Sequence, residues 1–174
     1  MTRKRLTRED WIKAGLKALA KRGPSALAVE PLAREMETTK GSFYWHFKDL
    51  PDFQGEVAQE WKRQAAGALV ETLEAEGGHS VKLREIARSG GSAKLEPAMR
   101  AWAKESGAAA RAVSEIDGLR LDATYALLRE MGISNRELSH ALYAAAIGLE
   151  QISPNGKVDG NVMGELVDLV LALR

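Results

Sequence analysis

Groups able to make or break bonds are scattered along this sequence rather than assembled. The three histidines, His46, His79 and His140, are far apart and lack metal-ligand spacing. There is no cysteine, which excludes disulfides and thiolate metal sites and fits a reducing compartment. The glycines form neither a G-x-G-x-x-G nor a G-x-x-x-x-G-K phosphate cradle, and no serine sits in a G-x-S-x-G elbow. Asp117 and Asp122 are paired carboxylates on a predicted helix, where solvation or ion pairing accounts for them. The sequence therefore predicts no catalytic residue, no metal site and no cofactor, and an enzyme is rejected.

Groups arranged for contact are concentrated in residues 38–48, TTKGSFYWHFK. This stretch is aromatic-dense, basic at both ends, and follows a short helical pattern over residues 29–36 across a turn of about three residues. Helix, tight turn and second short helix form the helix-turn-helix signature, in which the start of the second helix meets base edges in the major groove. Phe43 and Phe47 lie four apart and share the face that anchors the helix to a core. Lys40 and Tyr44 share a different face. Beside them Gly41, without a side chain, permits close approach to a duplex. The expected DNA-contacting set is Thr39, Lys40, Gly41, Ser42, Tyr44, Trp45, His46 and Lys48. For His46 a phosphate or structural contact is expected.

Those residues resemble the recognition helix of the TetR (tetracycline-repressor-like) family of transcriptional regulators, and Leu32-Ala33-Arg34-Glu35-Met36 resembles the family's first motif helix. The motifs cover residues 8–60; beyond them the match is in helix count and order. Two positions depart from the pattern. Glu37 stands where the family's turn usually has Gly, and Thr38 where it usually has a buried Val, so Glu37 must accept the turn conformation at a steric cost. The resemblance implies that Lys48 and the start of the fourth helix meet a phosphate. It also implies that an effector binds within the bundle after the motif and that the last two long helices dimerise as a four-helix bundle. Trp61, Met99, Trp102 and Tyr125 are the pocket candidates, with ordinary core positions as the competing reading. Glu150, a charge in an apolar helix, is open to three readings: pairing with an effector, pairing with a second subunit, or facing water.

The elements that must position this stretch follow from local signals. Residues 2–5 form a basic arm, either frayed or touching DNA. Thr7 with Asp10 reads as a capping box opening a helix over 8–22, with Ile12, Leu16 and Leu19 inward and Gly23-Pro24 ending it. Pro31 belongs in the first turn of the next helix, whose Leu32, Ala33 and Met36 face inward. Asp49 caps a long fourth helix over 50–76, with Pro51 in its first turn. Helices are predicted over 79–88, from near Leu95, and from around Gly107 to Met131, where Gly118 is a place for a kink. A flexible break is predicted at 89–92. Ser134 with Glu137 reads as a capping box for a helix reaching Ile152, followed by a turn at 153–156 and a last helix over 161–173.

The last two helices carry the apolar seam expected of a homodimer: Leu138, Ala141, Leu142, Ala145, Gly148, Leu149, Ile152, Leu166, Leu169, Val170 and Leu173. Small residues let another helix approach closely, and the terminal helix has more apolar surface than one intramolecular face can cover.

Composition sets the frame. The chain has 174 residues, 45% hydrophobic and 28% charged, with net charge +1. Residues 1–50 hold eleven Lys/Arg against six Asp/Glu, a balance of +5; the rest hold fourteen against eighteen, −4. That asymmetry suits an N-terminal part that meets a polyanion. The sequence has no signal-peptide pattern and no run of about 18 apolar residues, so no membrane span and a cytoplasmic location are expected.

The expectation is an all-α protein: residues 1–50 a helix-turn-helix DNA-binding domain, residues 51–174 a ligand-binding and dimerisation domain. Its expected partners are a double-stranded operator, a second copy of itself and an unidentified small-molecule effector. Function is expected to be ligand-relieved repression. The alternatives are an activator or effector-independent regulator of the same fold, or a small-molecule-binding module that no longer engages DNA.

Overall fold

The computed structural model describes residues 6–88, 95–152 and 160–172. The expectations for residues 2–5, 89–92 and 153–156, for Leu173 and for the side chain of Glu150 lie outside the described residues. Within them every regular element is helical: α1 (Arg8–Arg22), a 3₁₀ turn (Pro24–Ala26), α2 (Val29–Glu35), α3 (Lys40–Tyr44), α4 (Leu50–Glu74), α5 (His79–Arg88), α6 (Leu95–Ala103), α7 (Gly107–Glu130), α8 (Arg136–Ile152) and α9 (Gly160–Leu171). No helix among the described residues is long and apolar enough to cross a membrane.

Two compact units emerge from the packing: residues 1–64 with 94–113, and residues 65–93 with 114–174. That grouping concerns packing; the division by role at residue 50 belongs with the function proposed below.

The first unit is built on an aromatic cluster. Trp11 from α1, Phe43 from α3, Phe47 from the turn after it and Phe53 from α4 are all buried. Phe43 sits at the centre: its ring centroid is 5.3 Å from Trp11, 5.1 Å from Phe47 and 5.4 Å from Phe53. The Trp11 and Phe53 contacts are edge-to-face, the arrangement that ring quadrupoles favour. Trp11 was absent from the inward face read from sequence, which named Ile12, Leu16 and Leu19. Gly15 lets α4 close on α1: a Cβ there would stand 2.7 Å from Phe53 Cζ and 2.9 Å from Val57 Cγ2. α6 packs on α1 and the 3₁₀ turn. It carries the buried Glu96, paired with Arg100 at 2.9 Å, one helical turn away.

In the second unit, α5 packs against α9 and α8, and α8 against α9. Its core gathers Leu69, Leu83, Ile86, Leu127, Leu128, Met131, Ile133, Leu142, Val167 and Val170. Two residues expected in a dimer seam, Leu142 and Val170, are therefore buried within the core of their own chain. The cap of α8 also differs from expectation. The helix starts at Arg136, and Asn135 Oδ1 accepts the Glu137 N–H at 2.9 Å, in the place assigned to Ser134. Asn135 stands immediately before the first helical residue; Ser134 stands one residue too early.

Candidate nucleic-acid interface

α3 is only five residues long, too short to be stable by itself. Three local devices hold it. At its start Thr39 Oγ1 accepts the Ser42 N–H at 3.3 Å. At its end the chain keeps turning, with Phe47 N–H on the Phe43 carbonyl at 3.1 Å. That bond keeps the two phenylalanines on one buried face although Phe47 lies past the helix end. The third device is Arg8. Its Nε donates to the His46 carbonyl at 3.4 Å, and its guanidinium lies 4.9 Å from the Phe47 ring centroid. It also meets Glu56 at 3.2 Å and Asp52 at 3.9 Å. Arg8 was not singled out from sequence, but a signal existed. A cation in the first turn of a helix opposes the helix dipole, so its place there needs a tertiary reason.

The preceding turn closes as a Schellman motif. The Thr38 N–H bonds the Ala33 carbonyl at 2.8 Å, and the Glu37 N–H bonds that of Arg34 at 3.1 Å. Glu37 takes φ 50°, the left-handed conformation expected of Gly there. The end of α7 makes the same pair of bonds with Gly132, φ 87°, in that position. Thr38 is half-buried.

α4 begins beside α3. Asp49 Oδ1 accepts the Asp52 N–H at 2.8 Å, and Asp52 Oδ2 accepts the Lys48 N–H at 3.0 Å. This reciprocal pair fixes Lys48 at the junction with its side chain exposed.

Six of the eight expected contact residues, Thr39, Lys40, Gly41, Tyr44, Trp45 and Lys48, are exposed. Tyr44 is 58% and Trp45 81% exposed, large values for aromatic side chains. Lys40 and Gly41 are exposed too, Ser42 and His46 half-buried. A Cβ on Gly41 would meet only Thr39 Oγ1, at 3.6 Å, so packing within the chain does not require glycine there. Lys40 Nζ is ion-paired with Glu30 of α2. The hydrogen bond to that ammonium, with its charge, holds the Glu30 carboxyl below the usual carboxylate range. Arg22, 2.7 Å from Glu35, lowers the Glu35 carboxyl in the same way. The Glu30 pairing gave no sequence signal, because its partners lie on different helices.

Trp61, Met99 and Trp102 are buried in the first unit. Tyr125 lies in the second, half-buried, with the guanidinium groups of Arg136 and Arg129 at 5.2 and 5.9 Å from its ring centroid. A different hollow in the second unit has room of about 10 Å³, roughly one water molecule. Leu83, Ile86, Ala87, Thr124, Leu142, Tyr143 and Val167 line it. The Tyr143 hydroxyl donates to Asp117 Oδ1 at 2.7 Å and accepts from the buried Arg120 at 3.4 Å. Burial pushes this phenol up to about 12, so it stays neutral and keeps its proton for Asp117.

Of the seam expected in α8 and α9, Ala141 and Gly148 are exposed, and Ile152 (78%) and Leu169 (63%) strongly so. Leu138, Ala145, Leu149 and Leu166 are half-buried.

Residues 12–49 match the family described as bacterial regulatory proteins, tetR family. The HTH-type transcriptional repressor DhaR of Mycobacterium sp. (strain GP1) is 34% identical over 67 residues, 38% of this chain and 34% of that protein. The match thus spans about a third of that relative's length. In fold, the chain is similar to a Rhodococcus sp. protein classed with TetR-family transcriptional regulators, with TM-score 0.73, 16% identity, and 94% and 98% of the two chains covered. It is similar also to a TetR/AcrR-family regulator of Thermobifida fusca YX-ER1, with TM-score 0.65, 18% identity and coverage of 94% and 96%. A third similar structure is the multidrug binding protein EbrR complexed with imidazole, with TM-score 0.60, 20% identity and coverage of 94% and 93%.

Proposed function

We propose, from the match of residues 12–49 to the tetR family of bacterial regulatory proteins, that this chain is a homodimeric, sequence-specific transcriptional repressor that a small molecule releases from a palindromic operator. The observation that carries the reading is the outer face of α3. Lys40, Gly41 and Tyr44 stand exposed on α3, and Trp45 just past its end, while Phe43 and Phe47 are locked into an aromatic core. Rigid backing and an exposed cation–aromatic front are what reading base edges requires.

In this reading residues 1–50 bind DNA and the remainder dimerises and senses. A two-fold protein presents two α3 helices to half-sites one turn apart, about 34–36 Å. An effector that prefers a different helix separation weakens binding. A 100-fold release needs about 2.7 kcal/mol of differential affinity. EbrR, a multidrug binding protein of similar fold, lends support to a small-molecule effector. The hollow beside Tyr143 and Thr124 is the better candidate entry point than the four aromatic residues named from sequence. It sets a neutral hydroxyl, already bonded to Asp117 and Arg120, beside an apolar wall, and its walls must part to admit anything larger than water.

Selection from a random duplex pool tests the reading. The expected product is a palindrome. Lys40→Ala and Tyr44→Ala should each weaken binding to it by about 1–3 kcal/mol without unfolding the protein. Lys48→Ala should weaken all duplexes alike and lower the salt slope by about one. Unaltered operator affinity in both α3 variants would remove the recognition assignment.

A further inference from the structure

The pair between α2 and α3 bears on how such a helix discriminates. Lys40 is the first residue of α3, and its ammonium is engaged by Glu30 in the first turn of α2. The two side chains are 56% and 59% exposed, so the pair lies on the surface that a duplex would cover. An exposed ion pair contributes little to folding, so stability is a poor reason for its presence. A lysine ammonium is a compact charge on a flexible four-carbon stem. Left alone at a helix start it would reach the nearest phosphate of any duplex, adding affinity without sequence information.

We infer that Glu30 is a specificity-determining positioning residue: it holds the Lys40 ammonium so that only a base-edge acceptor at the operator replaces the ion pair with profit, while a duplex offering phosphates alone does not. The inference rests on the DNA-binding reading above. The Glu30 carboxylate is ionised at neutral pH, its affinity for a proton reduced by Lys40, so the competition between carboxylate and phosphate for the ammonium is between two anions. A guanine edge offers two acceptors, O6 and N7, at fixed positions in the groove, so engaging them ties the ammonium to one sequence.

The test measures the full chain on its selected operator and on a scrambled duplex of equal length, across a salt series. Glu30→Gln is expected to bind the scrambled duplex about five-fold tighter, with a salt slope steeper by about 0.9, because a freed lysine neutralises one more phosphate. Operator affinity should change less than about two-fold, so the specificity ratio falls. In a Lys40→Ala background Glu30→Gln should change neither duplex. Equal tightening on both duplexes, or tightening that survives Lys40→Ala, would overturn the inference and reduce Glu30 to a bulk negative charge. A wild-type chain that discriminates, with Glu30→Gln discriminating equally well, would also overturn it and leave the DNA reading standing. A wild-type chain that selects no sequence would overturn both. Unaltered melting of Glu30→Gln is the control expected of an exposed pair.

Discussion

Glu37 and Gly41 stand four residues apart and break local rules in opposite directions. Glu37 is a side chain where the backbone asks for none. Its φ of 50° closes the Schellman turn that aims α3, a task that Gly132 performs after α7 without a Cβ. Left-handed backbone costs an ordinary residue about 1–2 kcal/mol. Glu37→Gly should therefore raise stability by about 1 kcal/mol, part of the gain being returned through a more flexible unfolded chain. Denaturant melts of the two proteins measure it; a loss of stability would mean that the Glu37 side chain makes a compensating contact. Gly41 is the reverse, a missing side chain in a helix whose packing does not need the gap. Gly41→Ala should add about 1 kcal/mol of helix stability and yet weaken operator binding, since the Cβ stands where the duplex must approach. Thermal melts and a binding titration on one preparation should move in opposite directions. If Gly41→Ala bound as tightly as wild type, close approach at this position would be ruled out.

Among elements, what could be read from sequence was local. Thr7 with Asp10, and Asp49 before α4, act through hydrogen bonds three residues apart, so short windows contain them whole. The anchoring of α3 by Phe43 and Phe47 was legible for the same reason, and the separate face of Lys40 and Tyr44 followed from the helical period. The length of α3 was not legible, because an apolar pair four apart does not reveal that the helix ends between its members. Depth was not legible either. The period tells which residues share a face, not what covers that face, so Leu142 and Val170 read as surface for a partner and are core. Trp11 was missed for that reason, and Tyr125 stood in for the more deeply buried Tyr143. Gly15 is the sharpest case: nothing local in the sequence marks it, and in the structure Phe53 and Val57 of α4 occupy the space a Cβ would need. Gly15→Ala gains helix propensity but drives a Cβ against Phe53 and Val57, both fully buried. The net effect should be a destabilisation of about 1–3 kcal/mol. Because Phe53 packs on Phe43 and Phe47, operator binding should fall with it. A variant as stable as wild type would mean that the Phe53 ring has room to shift.

For the whole molecule the remaining question is what covers α8 and α9. Ala141, Ala144, Gly148 and Ile152 recur at three- and four-residue spacing, which puts them on one stripe of α8, and Val162 and Leu169 lie seven apart on α9. All six are exposed, Ile152 at 78% and Leu169 at 63%. Apolar burial stabilises by ~25 cal/mol per Å², so covering such stripes with a second copy favours association, less its entropic cost. Small residues on α8 allow the two helices to approach closely. A dimer through α8 and α9 is the expected state, and operator affinity should depend on it. Gly148→Arg tests this, because a Cβ at that position meets nothing of its own chain within 4 Å and the longer side chain starts from an open surface. The arginine places a long cation in the proposed seam and should yield folded monomers. A monomer reads one half-site and forfeits the avidity of the second, a loss on the order of 100-fold or more. Leu169→Glu on the neighbouring helix should do the same by a different chemistry. Light scattering at micromolar concentration, with circular dichroism to establish folding and a titration of the full operator, decides the matter. A wild-type chain that is monomeric yet binds a full palindrome tightly would sink the proposal, as would a Gly148→Arg variant that remains a dimer of undiminished affinity.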